Sequence, residues 1–177
     1  MGADSVAPRF WTPQRRRLYA AYGILALLTF ALSAVDSWQR RHGLVINITQ
    51  SLPNWAFWID REKQPSRGDY VFFQVPPTPL VRTHFGERPQ LFGKRIVGMP
   101  GDVVTRQGRT FLVNGRPVAT AKARSRRGVP LALGPTGVIP PGHYFVATPH
   151  PDGFDSRYAE IGWVPHRHIA GIGTPIL

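Results

Sequence analysis

The sequence predicts a mainly β domain, a coiled sheet or barrel, carried on one N-terminal transmembrane helix. Three observations point there. Eighteen glycines and eighteen prolines in 177 residues favour many turns between short strands over a helical bundle. Beyond Asp36 the apolar residues come in strand-length runs, some alternating and some continuous. Before it, Leu18 to Val35 (LYAAYGILALLTFALSAV) carries no charge.

As a helix that run is ~27 Å long at about 1.5 Å per residue, enough to cross the hydrocarbon core of a bilayer. Tyr19, Tyr22 and Trp38 stand near its ends, where interfacial aromatics belong. Arg9 and Arg15 to Arg17 precede the run, against Arg40 and Arg41 after it. The positive-inside rule then places residues 1–17 in the cytoplasm, 18–35 in the membrane as an anchor, and 36–177 outside. Ala31-Leu32-Ser33 resembles a small-residue cleavage site, so a cleavable signal peptide is the alternative; the run exceeds the usual apolar core of one, which favours the uncleaved anchor.

The rest reads as strands and turns. LVINIT (Leu44 to Thr49) alternates and leads to Ser51. Arg67-Gly68-Asp69 turns into YVFFQV (Tyr70 to Val75), a continuous apolar run typical of a buried strand. Pro76 to Gln90 reads as a proline-broken loop. LFGKRIVG follows as a strand and ends in Gly-Met-Pro-Gly, where Gly98 and Gly101 offer positive φ for a tight turn. VVTRQG and RTFLVNGRPV form hairpins, with Asn114-Gly115 as a two-residue turn. Lys122 to Gly128 (KARSRRG) reads as a solvated basic loop. VIPPGHYFVAT gives a turn and an apolar strand, and IGWVPHRHIAGIG one or two short closing strands.

Twenty-two basic residues against ten acidic give a net charge of +12. That charge is scattered through loops and accompanied by no nucleic-acid recognition motif, so no nucleic-acid partner is expected; anionic lipid headgroups suit Arg15 to Arg17 better. The absence of cysteine excludes disulfides, thiol nucleophiles and Cys-ligated zinc.

Two stretches carry chemistry together. TQSLPNW offers Ser51 in a bend, and GKRIVGMPGD offers Lys94 on a strand. A serine needs a base to become a nucleophile. A lysine serves only if its amine is neutral, well below its usual pKa of about 10.4. Leu91, Phe92, Ile96 and Val97 would desolvate the ammonium, and Arg95 adds a like charge. Strand alternation points Lys94 and Arg95 to opposite faces, so desolvation should dominate. The Ser51 N–H and the Thr49 hydroxyl are candidate donors to an oxyanion. The plain alternative is a hairpin end with two solvated basic residues. In HPDGFDSRY, Asp155 and Arg157 lie two apart, close enough to pair and brace a loop, or to form a surface ion pair of little worth.

Ser51 with Leu52 and Pro53, then RGDYVFF, GKRIVGMPGDVV and PPGHYFVATPHPDGFDSRYAEIGWVP, resemble in order the sequence boxes of the type I signal peptidases (peptidase S26), membrane-anchored Ser/Lys endopeptidases. The resemblance covers about residues 44–173. The short chain and the SLP start look most like the TraF-type conjugative-transfer peptidases, which mature pilin precursors. The resemblance implies Ser51 as nucleophile, Lys94 as general base, Asp155 and Arg157 in support, and Thr49 at the oxyanion hole. It implies no metal or cofactor. The substrate would be a pilin or other signal-peptide-bearing precursor, cleaved at the periplasmic face of a bacterial inner membrane, with cyclisation as a further outcome known in TraF-type relatives. Two departures stand out: Gly153 replaces a lysine-orienting serine of leader peptidases, and Asn54-Trp55 follows Ser-Leu-Pro where the TraF type has a glycine.

Rival readings remain. A Ser-His-Asp hydrolase is the nearest mechanistic rival, with Ser51, one of six histidines (His150 has suitable neighbours) and Asp152 or Asp155; a general leader peptidase is a further alternative. A non-catalytic β scaffold of a secretion or transfer complex would tolerate alanine at both Ser51 and Lys94. His166 and His168 alternate like strand ligands, but lack a third, which favours a solvated pair. Trp55, Phe57 and Trp58 are either an apolar lip at the bilayer or part of the core.

Overall fold

The computed structural model describes residues 12–47 and 52–176, and the chain divides into two compact units, Met1–Arg40 and Arg41–Leu177. Among described residues the first is a single helix, α1, with bounds Pro13–Arg41. It outruns the uncharged stretch at both ends, because Arg15 to Arg17 and Arg40 to Arg41 are good helix formers and Arg40 pairs with Asp36 one turn back at 2.7 Å. None of its side chains is buried, and it is long and apolar enough to cross a membrane. An all-round apolar helix suits lipid rather than water.

The second unit is mainly β, built from two antiparallel sheets. The larger sheet contains β1 (His42–Ile46), β2 (Ala56–Asp60), β3 (Tyr70–Val75), β4 (Gln90–Gly98), β9 (His143–Ala147), β10 (Val164–Pro165) and β11 (Ile169–Pro175). Its spatial order is β1-β2-β11-β3-β4-β9-β10. The smaller contains β5 (Val103–Gln107), β6 (Thr110–Val113), β7 (Arg116–Thr120) and β8 (Gly137–Val138), in the order β7-β6-β5-β8.

Burial explains the continuous apolar runs. In β3, Val71 and Phe73 enter one core cluster with Ile96, Val146 and Ile172, while Phe72 points the other way to Leu52, Phe57 and Ile59. In β9, Tyr144 and Val146 join the first cluster, and Phe145 and Ala147 join a third with Val104, Phe111 and Ile139. Strand β4 lies between these two doubly covered strands, so its inward positions are dry. The β6–β7 turn has Asn114 at φ 48 and Gly115 at φ 77, the conformation an Asn-Gly hairpin requires.

Several expectations need correcting. Pro79–Phe85, expected as loop, is helix α2: Thr78 caps it by accepting the Val81 N–H, Pro79 sits in its first turn, and buried Val81 ties it down. Strand β1 spans His42–Ile46 rather than Leu44 to Thr49, and Thr49 lies outside the described residues. Strand β2 was unforeseen and divides the aromatic trio: Phe57 is core, Trp58 half-buried and Trp55 exposed. His166 and His168 fall in a 3-10 turn, where alternation has no meaning. Gly98 does not supply a positive φ. It lets strands approach, since a Cβ there would stand 2.6 Å from Ile139 Cδ1 and 2.8 Å from Phe145 Cβ.

Candidate active site

Lys94 occupies an inward position of β4, opposite Val71 of β3, and is only 5% exposed. Arg95 is exposed and spends its guanidinium on the Gly68 carbonyl at 2.9 Å, so alternation separates the two cations as expected. Phe92 and Ile96, two residues either side of Lys94, share its face, and the amine lies 5.8 Å from the centre of the Phe92 ring. Burial holds the lysine down from 10.5 to about 8; the Asp155 carboxylate opposes that shift and the Arg157 cation adds to it. The like charge felt by the lysine is therefore Arg157, not the Arg95 expected from sequence adjacency.

The strand's end is anchored by Asp102. Its carboxylate accepts from the Met99 N–H at 2.6 Å, Arg67 Nη2 at 2.6 Å and Asn114 Nδ2 at 2.7 Å. Arg67 Nη1 also donates to the Val97 carbonyl at 2.6 Å. The turn after the lysine strand is thus fixed from both sheets.

Asp155 and Arg157 are a buried, two-pronged pair rather than a surface one. Arg157 Nε and Nη2 donate to Asp155 Oδ1 and Oδ2, both at 2.8 Å. Arg157 further donates to the Thr120 carbonyl at 3.0 Å and the Thr148 carbonyl at 2.7 Å, and Asp155 accepts from the Thr148 N–H at 3.1 Å. The pair joins the end of β7 to the turn after β9, and both its charges act on Lys94. The structure thereby brings Lys94, Asp155 and Arg157 into one electrostatic group.

Ser51 and Thr49 lie outside the described residues, but both ends of their segment are defined. The Asn47 N–H donates to the Trp55 carbonyl at 2.7 Å, and its Nδ2 to the carbonyls of Leu52 at 3.3 Å and Asn54 at 3.0 Å. Asn47 thus ties the end of β1 to residues 52–55. Leu52, next to the serine, is buried against β4: a Cβ at Gly93 would stand 3.0 Å from Leu52 Cδ1 and 2.8 Å from Phe72 Cε1. Only glycine at 93 leaves room for that approach.

Lys94 lines a groove of about 930 Å³. Phe85 of α2, Phe92 and Phe154 make its aromatic wall, with ring centres 4.9 to 6.3 Å apart. The KARSRRG segment is no free excursion: Lys122, Arg124 and Arg126 also line the groove, and Lys122 and Arg126 are tied to Asp152. His150 lines it too, but its Nδ1 takes the Asp152 backbone N–H at 3.1 Å. Among the described hydrogen bonds no carboxylate orients that imidazole, since Asp152 serves Lys122 and Arg126 and Asp155 serves Arg157. The geometry of a Ser-His-Asp triad is lacking at His150.

The family model for signal peptidase, peptidase S26, matches residues 15–176. The chain belongs to that family. It is 27% identical over 147 residues to the conjugal transfer protein TraF of Agrobacterium fabrum (strain C58), covering 76% of this chain and 82% of that one. It is 28% identical over 107 residues to a signal peptidase I of Leptolyngbya laminosa, covering 60% of this chain and half of that relative. A crystal structure of a signal peptidase I from Enterococcus faecalis V583 matches with a TM-score of 0.40 and 28% identity, over 63% of this chain and 98% of that one.

The packing around Gly153 leaves little room for a side chain. A Cβ there would stand 3.0 Å from both Arg157 Nη2 and Asp155 Oδ2, and 3.1 Å from the His150 carbonyl. A serine at that position would crowd the buried pair. Sequence reasoning missed Asn47 and Thr148. Asn47 was legible as an Asx residue ahead of a bend; the burial of Thr148, 2% exposed, depends on long-range packing and left no local signal.

Proposed function

We propose that the chain is a membrane-anchored serine endopeptidase in which Ser51 attacks and Lys94 is the base. The observation that carries this reading is Lys94: a lysine buried in a groove, with its pKa lowered to about 8, is roughly one-tenth neutral at pH 7, far more than an ordinary lysine. The packing of Leu52 against the residue before Lys94 supports bringing the serine to it. In the first step the Ser51 oxygen bonds to the scissile carbonyl carbon while its proton passes to the Lys94 amine. The oxyanion is held by the Ser51 N–H and the Thr49 hydroxyl. Lys94 then returns the proton to the departing amine, leaving an ester on Ser51. Water, its proton taken by Lys94, releases a free carboxylate; a substrate amine in its place would close a cyclic product. Asp155 and Arg157 brace the site.

Likeness to a conjugal transfer protein supports a conjugative precursor, a pilin, as the substrate class. The long apolar helix supports residues 18–35 as the anchor, with 1–17 cytoplasmic and 36–177 periplasmic as the peptidase domain.

Co-expression with the precursor, followed by mass spectrometry of its product, tests the reading. Ser51→Ala and Lys94→Ala should each abolish processing in folded, membrane-bound protein, and His150→Ala should retain most of it. A linear product carries new termini, and a cyclic one weighs one water less. Processing that survives Lys94→Ala but not His150→Ala would overturn the Ser/Lys assignment.

A further inference from the structure

The groove beside Lys94 carries a positive surplus that peptide-bond cleavage does not use. Lys122, Arg124 and Arg126 line it against one carboxylate, Asp152. Lys122 Nζ donates to Asp152 Oδ1, and Arg126 Nε and Nη2 donate to Oδ2 at 3.1 and 2.7 Å. Those donors hold the Asp152 carboxyl down to about 2, so it stays ionised and offsets one of the three cations.

All three cations are exposed, and Arg124 is the one whose hydrogen bonds do not go to Asp152. Its Nη1 donates to the Gly128 carbonyl at 2.8 Å, and its other N–H groups have no acceptor among the described residues. The segment presenting it is fixed. The Lys122 N–H donates to Tyr158 Oη at 3.0 Å, the Ser125 N–H to Val129 O at 2.8 Å, and the Leu131 N–H to Ala123 O at 2.9 Å; Arg127 Nη1 reaches the Thr83 carbonyl of α2. A guanidinium fork held in place matches a carboxylate in shape and charge, and a concave wall focuses the field. Because the same groove holds Lys94, its occupant is the chain being cut.

Resting on the peptidase reading, we propose that the groove selects precursors with a carboxylate side chain close to the cleaved bond. Arg124 receives the carboxylate, and Lys122 and Arg126 supply the surrounding positive field.

The test uses full-length protein in zwitterionic micelles and acetylated, amidated Ala/Ser decapeptides bearing a neutral dye. Each position in turn carries Glu, Gln or Lys, and binding is read by fluorescence anisotropy. Glu at one or two adjacent positions should tighten binding about fivefold or more over Gln, with Lys weakest. The preference should vanish in Arg124→Gln and shrink in 0.5 M NaCl, on the order of what screening of a partly exposed pair allows. No Glu-dependent gain at any position, absence of binding by every peptide included, overturns the proposal; so does a gain that survives Arg124→Gln. Following cleavage of the same peptides separates the two readings. A Glu preference in binding without cleavage supports this inference and counts against the peptidase assignment. Equal cleavage of the Glu, Gln and Lys series at every position overturns the inference alone.

Discussion

Arg157 grips Asp155 with two parallel hydrogen bonds of 2.8 Å, in a site where the two side chains are 2% and 0% exposed. Two further donors of the guanidinium go to carbonyls of Thr120 and Thr148, so one side chain joins the end of β7 to the turn after β9. Removing one partner of such a pair leaves a buried charge and costs about 3–5 kcal/mol. Arg157→Ala should therefore be strongly destabilised. Arg157→Lys should also melt several degrees lower, because an ammonium cannot span the carboxylate and both carbonyls. Thermal unfolding of the full chain in micelles checks this; unchanged melting of both variants would refute the bracing role.

Lys94 should impose a stability cost that depends on pH. Its folded pKa is about 8 against 10.5 unfolded, so between those values the unfolded chain binds more protons and stability rises with pH. Below the folded value the full penalty applies, about 3 kcal/mol at 1.36 kcal/mol per pKa unit. Lys94→Met keeps the volume and removes the charge. It should stabilise the protein by roughly that amount at pH 6–7, the gain fading between pH 8 and 10.5, while abolishing processing. Melting curves at pH 6.5 and 10.5 measure it, and a variant no more stable at pH 6.5 would show that the amine is not desolvated.

The anchor makes a separate claim. A reporter fused after Gly43 should be active only outside the cytoplasm, and protease added to spheroplasts should remove the β domain. Cytoplasmic reporter activity would reverse the topology and remove the site from its substrate.

Much of this fold was legible because its signals are local. YVFFQV and the lysine strand were placed by their apolar pattern, and the Asn114-Gly115 hairpin by its turn chemistry. What stayed hidden was set by long-range packing. Nothing near Arg157 in sequence announces that Thr120 and Thr148 supply its acceptors, and KARSRRG reads as a solvated loop until Asp152 comes across the groove to meet it. Helix α2 was missed for another reason: Pro79 was read as a breaker when it follows a capping Thr78 and so starts a helix. The burial of Lys94 was legible because its apolar neighbours lie on its own strand, yet the cation that acts on it, Arg157, comes from a distant turn.

The pH dependence of kcat/KM for precursor cleavage tests the central claim most directly, because it reports the ionisation of the free enzyme's base. The active form is the neutral amine, so activity should be lost as pH falls through a single ionisation at about 8. Ile96→Thr, on the lysine's own face, should readmit water and move that limb to higher pH. A limb that stays put in Ile96→Thr, lies near the ordinary imidazole value of about 6.5 and disappears in His150→Ala would contradict the assignment of Lys94 as the base.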